Sequence, residues 1–271
     1  MPIIQINKET CTKCGICVSA CLTGHIEIKE DEYPGAVSDE DTCANCGACE
    51  VMCPTGSLEH GDLPLDQSKM IDPSLKVDFD QMSQVLKTRR SIRAYKDRSI
   101  PKEDINRLID AARYAPTGAN KQEVKWLVID DKEKLRQLGE YGADFMIEGM
   151  KNIPDYIDAV KLFVKRREAG YDIFLHSAPA VVATYAEISN MMVPSIDCTI
   201  ALSYFNLAAN SMGLGCCWLG FFPSAANNYP PIKELISLPE GNQIHACMTV
   251  GYPKYPYQRI PVRNPSDIIW R

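Results

Sequence analysis

The sequence predicts an α+β protein in which a small metal-binding domain is followed by a larger three-layer α/β/α sandwich. A run of four cysteines occurs twice within the first 54 residues, and a loop-like stretch follows the second run. From residue 81 onward, apolar helical patterns alternate with short apolar strands, a pattern typical of helices on both faces of a sheet. We therefore predict a first domain at residues 1–66, a linker at 67–80 and a second domain at 81–271.

Composition and charge bear on the number of domains, on the partners that the protein could bind and on its cellular compartment. The chain has 271 residues, enough for one or two domains. Its formal net charge is -6 and it has no long basic run, so we expect no nucleic-acid partner. No apolar run approaches the ~18 residues of a membrane span. The N-terminus has no basic segment followed by an apolar one, so we expect no signal peptide and predict a reducing cytoplasm.

Eight of the twelve cysteines fall in two runs of identical spacing, C-x2-C-x2-C-x3-C. The first run is Cys11, Cys14, Cys17 and Cys21, and the second is Cys43, Cys46, Cys49 and Cys53. Zinc sites use separate pairs of cysteines, and disulfide frameworks suit small secreted domains. Neither alternative fits this chain as well as iron–sulfur ligation, for which the spacing is specific.

The two runs resemble those of two-cluster bacterial ferredoxins. The resemblance implies two 4Fe-4S clusters, with the fourth cysteine of each run binding the cluster of the other run, because three close cysteines cap three irons while the fourth iron faces away. One cluster would then be held by Cys11, Cys14, Cys17 and Cys53, and the other by Cys43, Cys46, Cys49 and Cys21. Leu22 stands where the second run has Pro54, which concerns only the local turn.

In the first domain, the alternation of apolar and polar residues predicts short strands at 3–6 and 26–29. Gly15 and Gly47 take the same place in the two cysteine loops, and we expect a positive φ there.

The second domain opens with a helix on which Met82, Val85 and Leu86 share a face and which ends within residues 87–93. The next helix has Pro101 in its first turn, with two acids near the positive end of its dipole, and stops around residue 114. Residues 132–175 are mostly helical in pattern. Their charged stretch at 165–168 is interpreted as a solvated helix face.

Four apolar stretches are strand candidates: residues 126–129, 180–185, 216–221 and 246–250. A long helix is predicted at 197–212, with Gly213 in the position of a left-handed cap. The residues expected to face inward on this helix are Ile200, Ala201, Tyr204, Leu207 and Ala208. The cysteines outside the two runs, interpreted as small buried hydrophobes, are Cys198, Cys216, Cys217 and Cys247.

Four motifs follow one another in the second domain: RRSIR at 89–93, APTGAN at 115–120, GLGCCWLG at 213–220 and GYP at 251–253. In this order they resemble the nitroreductase family of flavin enzymes over residues 81–271. The whole chain resembles the ferredoxin–nitroreductase fusions of anaerobic bacteria and archaea.

The resemblance implies an FMN site. Its phosphate and ribityl chain would be bound by the RRS residues and by a basic residue after GYP, for which Arg259 is the best match and Arg263 the substitute. Asn120 would hydrogen-bond the flavin edge. The cofactor-binding residues implied are Arg89, Arg90, Ser91, Arg93, Pro116, Thr117, Asn120, Leu219, Gly220 and Arg259.

The alternatives are a solvated helix end for Arg89 and Arg90, and a plain turn residue for Asn120. No catalytic acid or base stands out, and His176 is interpreted as structural, since the flavin carries the redox chemistry in this family. Residues 140–176 are expected to line or cover the substrate face.

Together these features predict an FMN-dependent oxidoreductase in which two 4Fe-4S clusters relay single electrons to FMN. The flavin would then deliver two electrons to a small electrophile such as a nitroaromatic, quinone or enone. The donor would be an external low-potential one, ferredoxin or NAD(P)H, and the resemblance implies a homodimer. Two alternatives stay open: an NAD(P)H-dependent flavin reductase that passes electrons out through the clusters, and a non-catalytic electron carrier.

Overall fold

The computed structural model describes residues 3–37, 42–63, 65–188 and 194–271. Its contacts divide the chain into two units. Unit 1 comprises Met1–Lys76 and Ala119–Lys121, and unit 2 comprises Val77–Gly118 and Gln122–Arg271. The first division falls inside the predicted linker, where the chain forms a short 3-10 turn at Pro73–Leu75.

Unit 1 is built from two similar halves. In chain order it contains β1 (Ile4–Ile6), α1 (Ile16–Ala20), β2 (Ile26–Glu27), β3 (Gly35–Ala36), α2 (Ala48–Val51) and β4 (Leu58–His60). Strand β1 pairs antiparallel with β4, and β2 with β3. The apolar core is small and includes Ile4, Ile26 and Leu58. A domain with so little core depends on bound metal for much of its folding energy.

Both predicted loop glycines have a positive φ, 76° at Gly15 and 69° at Gly47. Each immediately precedes a short helix. Both short strands are confirmed, although the second ends at Glu27 rather than at residue 29.

Unit 2 contains seven helices and four strands in its described residues. In chain order these are α3 (Phe79–Thr88), α4 (Lys102–Ala112), β5 (Lys125–Ile129), α5 (Lys132–Met150), α6 (Ile157–Glu168), β6 (Ala180–Glu187), α7 (Pro194–Ser211), β7 (Gly215–Trp218), α8 (Phe222–Asn228), α9 (Pro230–Ile236) and β8 (Asn242–Gly251). The strands form one antiparallel sheet in the order β5-β6-β8-β7. No helix in the described part of the chain is long and apolar enough to span a membrane.

The sheet has helices on both faces, as predicted. Alternate side chains of β6 point to opposite sides, so Val181 packs into a core with α5, α8 and α9. Its neighbour Val182 packs into a second core with α4 and α7. Both valines are fully buried, and the three-layer sandwich is therefore confirmed.

Two sequence predictions in this unit were wrong. The strand expected at 216–221 ends at Trp218, because Leu219 and Gly220 turn the chain into α8, which has a proline in its first turn. The inward face of α7 was also partly wrong. Ala201 is buried as predicted, but Tyr204 is 44% exposed, and Leu202 and Phe205 are fully buried instead. Apolar residues lie almost all round α7, so periodicity could not select the buried face.

The four cysteines outside the runs are all buried, as predicted. Burial raises the pKa of Cys198 and of Cys216 to about 12. These thiols therefore stay protonated and pack as small apolar groups. Gly213 has φ 71° and ends α7 in the left-handed conformation expected of it.

Helix α5 offers a matched pair of glycine substitutions. A Cβ at Gly142 would overlap the ring of Phe174, while a Cβ at Gly149 would have no heavy atom within 4 Å. Phe174 is buried and stacks on Phe222, so its ring cannot move aside. We expect Gly142→Ala to lower the free energy of unfolding by about 1–3 kcal/mol, and Gly149→Ala to raise it by up to about 1 kcal/mol.

Denaturant unfolding of both variants measures these changes. Equal effects of the two substitutions would contradict the packing of Phe174 onto α5.

Candidate functional site

The main candidate site in unit 2 is a cavity of about 320 Å³ lined by three arginines. Arg89 and Arg90 follow α3, and Arg259 lies in the C-terminal stretch after β8. The lining contains no Asp or Glu among the described residues, and none of the three arginines is in an ion pair there. The cavity is therefore cationic.

The arginine segment is held in place by backbone hydrogen bonds to distant parts of the chain. Ile92 N donates to Cys216 O at 2.9 Å, which ties the segment to β7. Lys96 N donates to Tyr252 O at 2.9 Å, and Lys254 N donates to Ala94 O at 2.9 Å. These bonds bring residues 89–90 beside residues 255–260, which are far away in sequence.

Arg90 has a buried donor that the protein does not satisfy. Its Nε has no hydrogen-bond partner in the described part of the chain, and its guanidinium lies 5.9 Å from the ring centroid of Tyr257. An unsatisfied buried donor costs about 1–3 kcal/mol, and more when it is charged. An anion such as a phosphate would satisfy the guanidinium, whose planar donors match phosphate oxygens.

Sequence reasoning missed several polar residues of this cavity. Asn206 and Asn210 lie one turn apart on α7, and Gln258 precedes Arg259. Asn206 is only 5% exposed. Two amides four residues apart in the largely apolar second half of this helix are a signal that could have identified them.

The other residues of the RRSIR motif lie beside β7. Burial raises the pKa of the Cys217 thiol, while the Arg93 guanidinium and the Ser91 hydroxyl act to lower it. Ser91 and Arg93 are not part of the cavity lining. The other arginine considered after GYP, Arg263, is exposed and is not in the lining either.

The APTGAN loop makes its contacts elsewhere. Pro116 is exposed, and Thr117 Oγ1 accepts a hydrogen bond from Gln122 N at 3.0 Å. Gly118 N donates to Asp197 Oδ2 at 3.0 Å. Thr117 lines a second cavity of about 260 Å³ together with Arg113, Gln122 and apolar residues of unit 2.

Asn120 belongs to unit 1 by its contacts. Its Nδ2 donates to Ala44 O at 3.2 Å and to Asn45 O at 2.8 Å, between two cysteines of the second run. Its φ of 54° is left-handed, as a turn residue allows. The flavin-edge contact of Asn120 stays a prediction.

Leu219 and Gly220 lie at the turn after β7. Leu219 is buried in the core beside α5 and α8, and its N donates to Cys247 O at 2.9 Å. Gly220 is exposed, with no heavy atom within 4 Å of the position of a Cβ. Backbone at Gly220 is thus open to close approach by a flat ligand.

Part of the stretch expected to line the substrate face, residues 140–176, borders a cavity of about 690 Å³. Asp172 organises this border: its Oδ1 accepts from Phe174 N and Leu175 N, and its Oδ2 accepts from Ser177 N. His176 has φ 59°. Burial lowers its pKa, opposed by Asp172.

In unit 1 the eight cysteines of the two runs separate into two groups of four, each around its own cavity. The first cavity is lined by Cys11, Cys14, Cys17 and Cys53, and the second by Cys21, Cys43, Cys46 and Cys49. Each group takes its fourth cysteine from the other run, the grouping expected of two 4Fe-4S clusters. No three His, Cys or acidic side chains converge on a single-ion position in the described residues.

Cys21 and Cys53, the cysteines that join the group of the other run, have surroundings that favour the thiolate. Burial acts to raise the pKa of Cys21 and of Cys53, but hydrogen bonds from a threonine hydroxyl and from backbone N–H groups outweigh it and lower the pKa overall. His25 N donates to Cys21 Sγ at 3.1 Å, and Ser57 N donates to Cys53 Sγ at 3.2 Å. Iron ligation needs the thiolate, so these residues fit the clusters.

The two cysteine-lined cavities of unit 1 are suited to iron–sulfur clusters, and the arginine-lined cavity of the α/β/α sandwich is suited to an anion. The chain belongs to the nitroreductase family, whose family model matches residues 86–252. A 4Fe-4S dicluster domain matches residues 10–57. The predicted fusion of the two domains is confirmed, and the iron–sulfur cofactors are two 4Fe-4S clusters.

Relatives cover the second domain. A protein of Archaeoglobus fulgidus, provisionally named NADH dehydrogenase/NAD(P)H nitroreductase, is 29% identical over 178 residues, which are 65% of this chain and 87% of that protein. An FMN reductase (NAD(P)H) of Bacillus subtilis is 28% identical over 176 residues, 64% of this chain and 67% of that protein. A nitroreductase of Bacteroides fragilis with bound FMN has the same fold, with a TM-score of 0.56 and 23% identity over 70% of this chain and 99% of that one.

Proposed function

We propose that the protein is an FMN-dependent oxidoreductase in which single electrons enter through the iron–sulfur domain and leave in pairs from the flavin domain. The acceptor would be a small flat electrophile such as a nitroaromatic, a quinone or an enone. The arginine-lined cavity carries the proposal, because the buried Nε of Arg90 lacks, among the described residues, a hydrogen-bond acceptor that a bound anion would supply. A nitroreductase-family relative is named FMN reductase, and a structure of the same fold contains FMN.

The residues of the cavity have distinct tasks. Arg89, Arg90 and Arg259 would bind the FMN phosphate. Asn206 and Gln258 would hydrogen-bond the hydroxyl groups of the ribityl chain next to the phosphate. Arg90 would be neutralised in this way without a carboxylate. Ser91, Arg93, Pro116, Thr117, Asn120, Leu219 and Gly220 stay proposed contacts of the remainder of the cofactor.

Bound FMN would supply the two-electron chemistry, and each cluster transfers one electron at a time. The protein's own contribution is to hold the phosphate, to exclude water from the buried side of the site and to present an open backbone at Gly220. No side chain near the arginine-lined cavity is assigned as a general acid or base.

The direction of electron flow is tested by anaerobic stopped-flow spectroscopy of the oxidised holoprotein. We expect reduced ferredoxin to bleach the flavin absorbance, and we expect NADH alone to leave that absorbance unchanged. Cluster absorbance should change before flavin absorbance, because electrons enter through the clusters. Bleaching by NADH but not by ferredoxin would overturn the proposed direction.

That opposite outcome would support the second candidate, an NAD(P)H-dependent flavin reductase that passes electrons out through the clusters. The observation in its favour is that the two relatives above carry NAD(P)H in their names. Failure of both donors to support turnover of any acceptor would favour the remaining alternative, a non-catalytic electron carrier.

We also propose a homodimer in the cytoplasm. The apolar face of α3 is exposed, with Phe79 at 83% and Leu86 at 53%, and Trp270 near the C-terminus is 89% exposed. Large apolar side chains exposed along one face of a helix are typical of an interface. A monomer mass by light scattering of the FMN-loaded protein at micromolar concentration would contradict the dimer, and recovery of the native protein outside the cytoplasm on cell fractionation would contradict the compartment.

A further inference from the structure

The two cysteine-lined cavities of unit 1 differ in the polar side chains that border them. The first, around Cys11, Cys14, Cys17 and Cys53, is bordered by aliphatic residues, prolines and hydroxyl groups and by no histidine among the described residues. The second, around Cys21, Cys43, Cys46 and Cys49, is bordered by His25 and His60. Both histidines are buried, at 3% and 2% exposure.

His60 is held so that it donates to a cysteine sulfur. Its Nδ1 accepts a hydrogen bond from Asp62 N at 3.2 Å, so the proton of the neutral ring is on Nε2. Nε2 lies 3.5 Å from Cys43 Sγ, within the range of a hydrogen bond to sulfur. The backbone of His60 is fixed as well, since His60 N donates to Glu50 Oε1 at 3.1 Å and β4 pairs with β1.

His25 adds a second donor position at the same cavity. Its Nδ1 lies 2.8 Å from Thr42 Oγ1. Its Nε2 is buried and has no hydrogen-bond partner in the described part of the chain. Such a nitrogen is costly unless it finds an acceptor, and the sulfur of a bound cluster is one.

The internal repeat provides a comparison within the same molecule. When the runs are aligned on Cys11 and Cys43, His60 aligns with Ile28, and His25 aligns with Ser57. The remaining contacts to sulfur are equal in the two halves: a threonine hydroxyl at 3.7 Å from Cys21 and from Cys53, and a backbone N–H at 3.1 and 3.2 Å. Among the described side chains that border the two cavities, the histidines are therefore the nitrogen donors that only the second cavity has.

We propose that His60, with His25 beside it, makes the cluster bound by Cys21, Cys43, Cys46 and Cys49 the more easily reduced of the two. Reduction adds one negative charge to a cluster, and an N–H donor to its sulfur stabilises the reduced form more than the oxidised form. When one electron equilibrates between the clusters, the second cluster is reduced and the first is oxidised. The proposal depends on the dicluster domain and not on the flavin reaction.

An EPR-monitored redox titration of the anaerobic full-length protein with dithionite tests it. Wild type should show two separated one-electron steps. His60→Phe should lower the potential of the upper step only, by about tenfold in equilibrium constant for the loss of one hydrogen bond to a charged group, which is about 59 mV for a one-electron couple. His60→Gln keeps an N–H donor, so its upper potential should lie closer to that of wild type. Ile28→Val, at the position that aligns with His60, is the matched control.

The proposal is overturned if His60→Phe changes the potential of the lower step. It is also overturned if His60→Phe leaves the potential of the upper step unchanged. Iron content of about eight per chain verifies that each variant holds both clusters. Wild-type protein provides an independent readout: after reduction by one electron, ¹⁵N-histidine labelling should give a hyperfine coupling to the reduced cluster. Absence of that coupling overturns the proposal without any substitution.

Discussion

Alanine at Arg89 or at Arg259 is expected to weaken FMN binding by about 10- to 100-fold, the effect of losing a hydrogen bond to a charged group. Both side chains line the same cavity, and no acidic side chain among its described residues competes for them. The double variant should lose the flavin during purification. Titration of the apoprotein with FMN, followed by the quenching of flavin fluorescence, measures the change.

Riboflavin is the ligand control, because it lacks the phosphate that these arginines are proposed to bind. Its affinity should be the same in wild type and in both variants. Arg263→Ala is the matched protein control, since Arg263 is exposed and outside the cavity. An equal loss of riboflavin and FMN affinity, or an effect of Arg263→Ala as large as that of Arg259→Ala, would count against the phosphate assignment.

Alanine at Cys14 or at Cys46 is expected to abolish the reduction of flavin by reduced ferredoxin. Each substitution removes one of the four sulfurs around one cavity, and a cluster that lacks one of its four thiolates is labile. Iron content should fall from about eight to about four per chain. Metal analysis and anaerobic stopped-flow spectroscopy measure the two effects separately.

Photoreduction of the flavin shows whether the flavin site is intact in these variants. We expect the flavin to be photoreduced as in wild type. Cys198→Ala is the matched control: Cys198 is fully buried in unit 2, and its loss should leave the iron content unchanged. If Cys14→Ala and Cys46→Ala both retain full donor-dependent reduction of the flavin, the electron relay does not exist.

The elements that were predicted correctly have strong local signals. Helix α4 has Pro101 at its N-cap and two acids in its first turn, and β6 is a run of small and branched residues. The turn of β7 into α8 has conflicting signals. The proline in the first turn of α8 favours a helix start, but Phe221 and Phe222 extend an apolar run that continues the strand pattern. Packing against α9 and β8 decides that the chain leaves the sheet there.

The site divides in the same way. Arg89 and Arg90 could be selected from a motif of neighbouring residues. The choice of Arg259 over Arg263 depends on where the stretch after β8 runs, and that is set by hydrogen bonds between residues 94–96 and 252–254. Asn206 was missed because the spacing of Asn206 and Asn210 marks a polar position on α7 but does not show that this position borders the cavity.

The sequence by itself determined the two cysteine runs, their iron–sulfur chemistry and the membership of the second domain in its family. The first two conclusions depend on cysteine spacings of two or three residues, and the third depends on four short motifs in a fixed order. All three can be recognised from neighbouring residues alone. Only the tertiary structure decided which arginine joins Arg89 and Arg90, which face of α7 is buried and which cysteine cavity receives His60. Each of these depends on contacts between residues distant in sequence, whose positions follow from packing and strand register and not from local spacing.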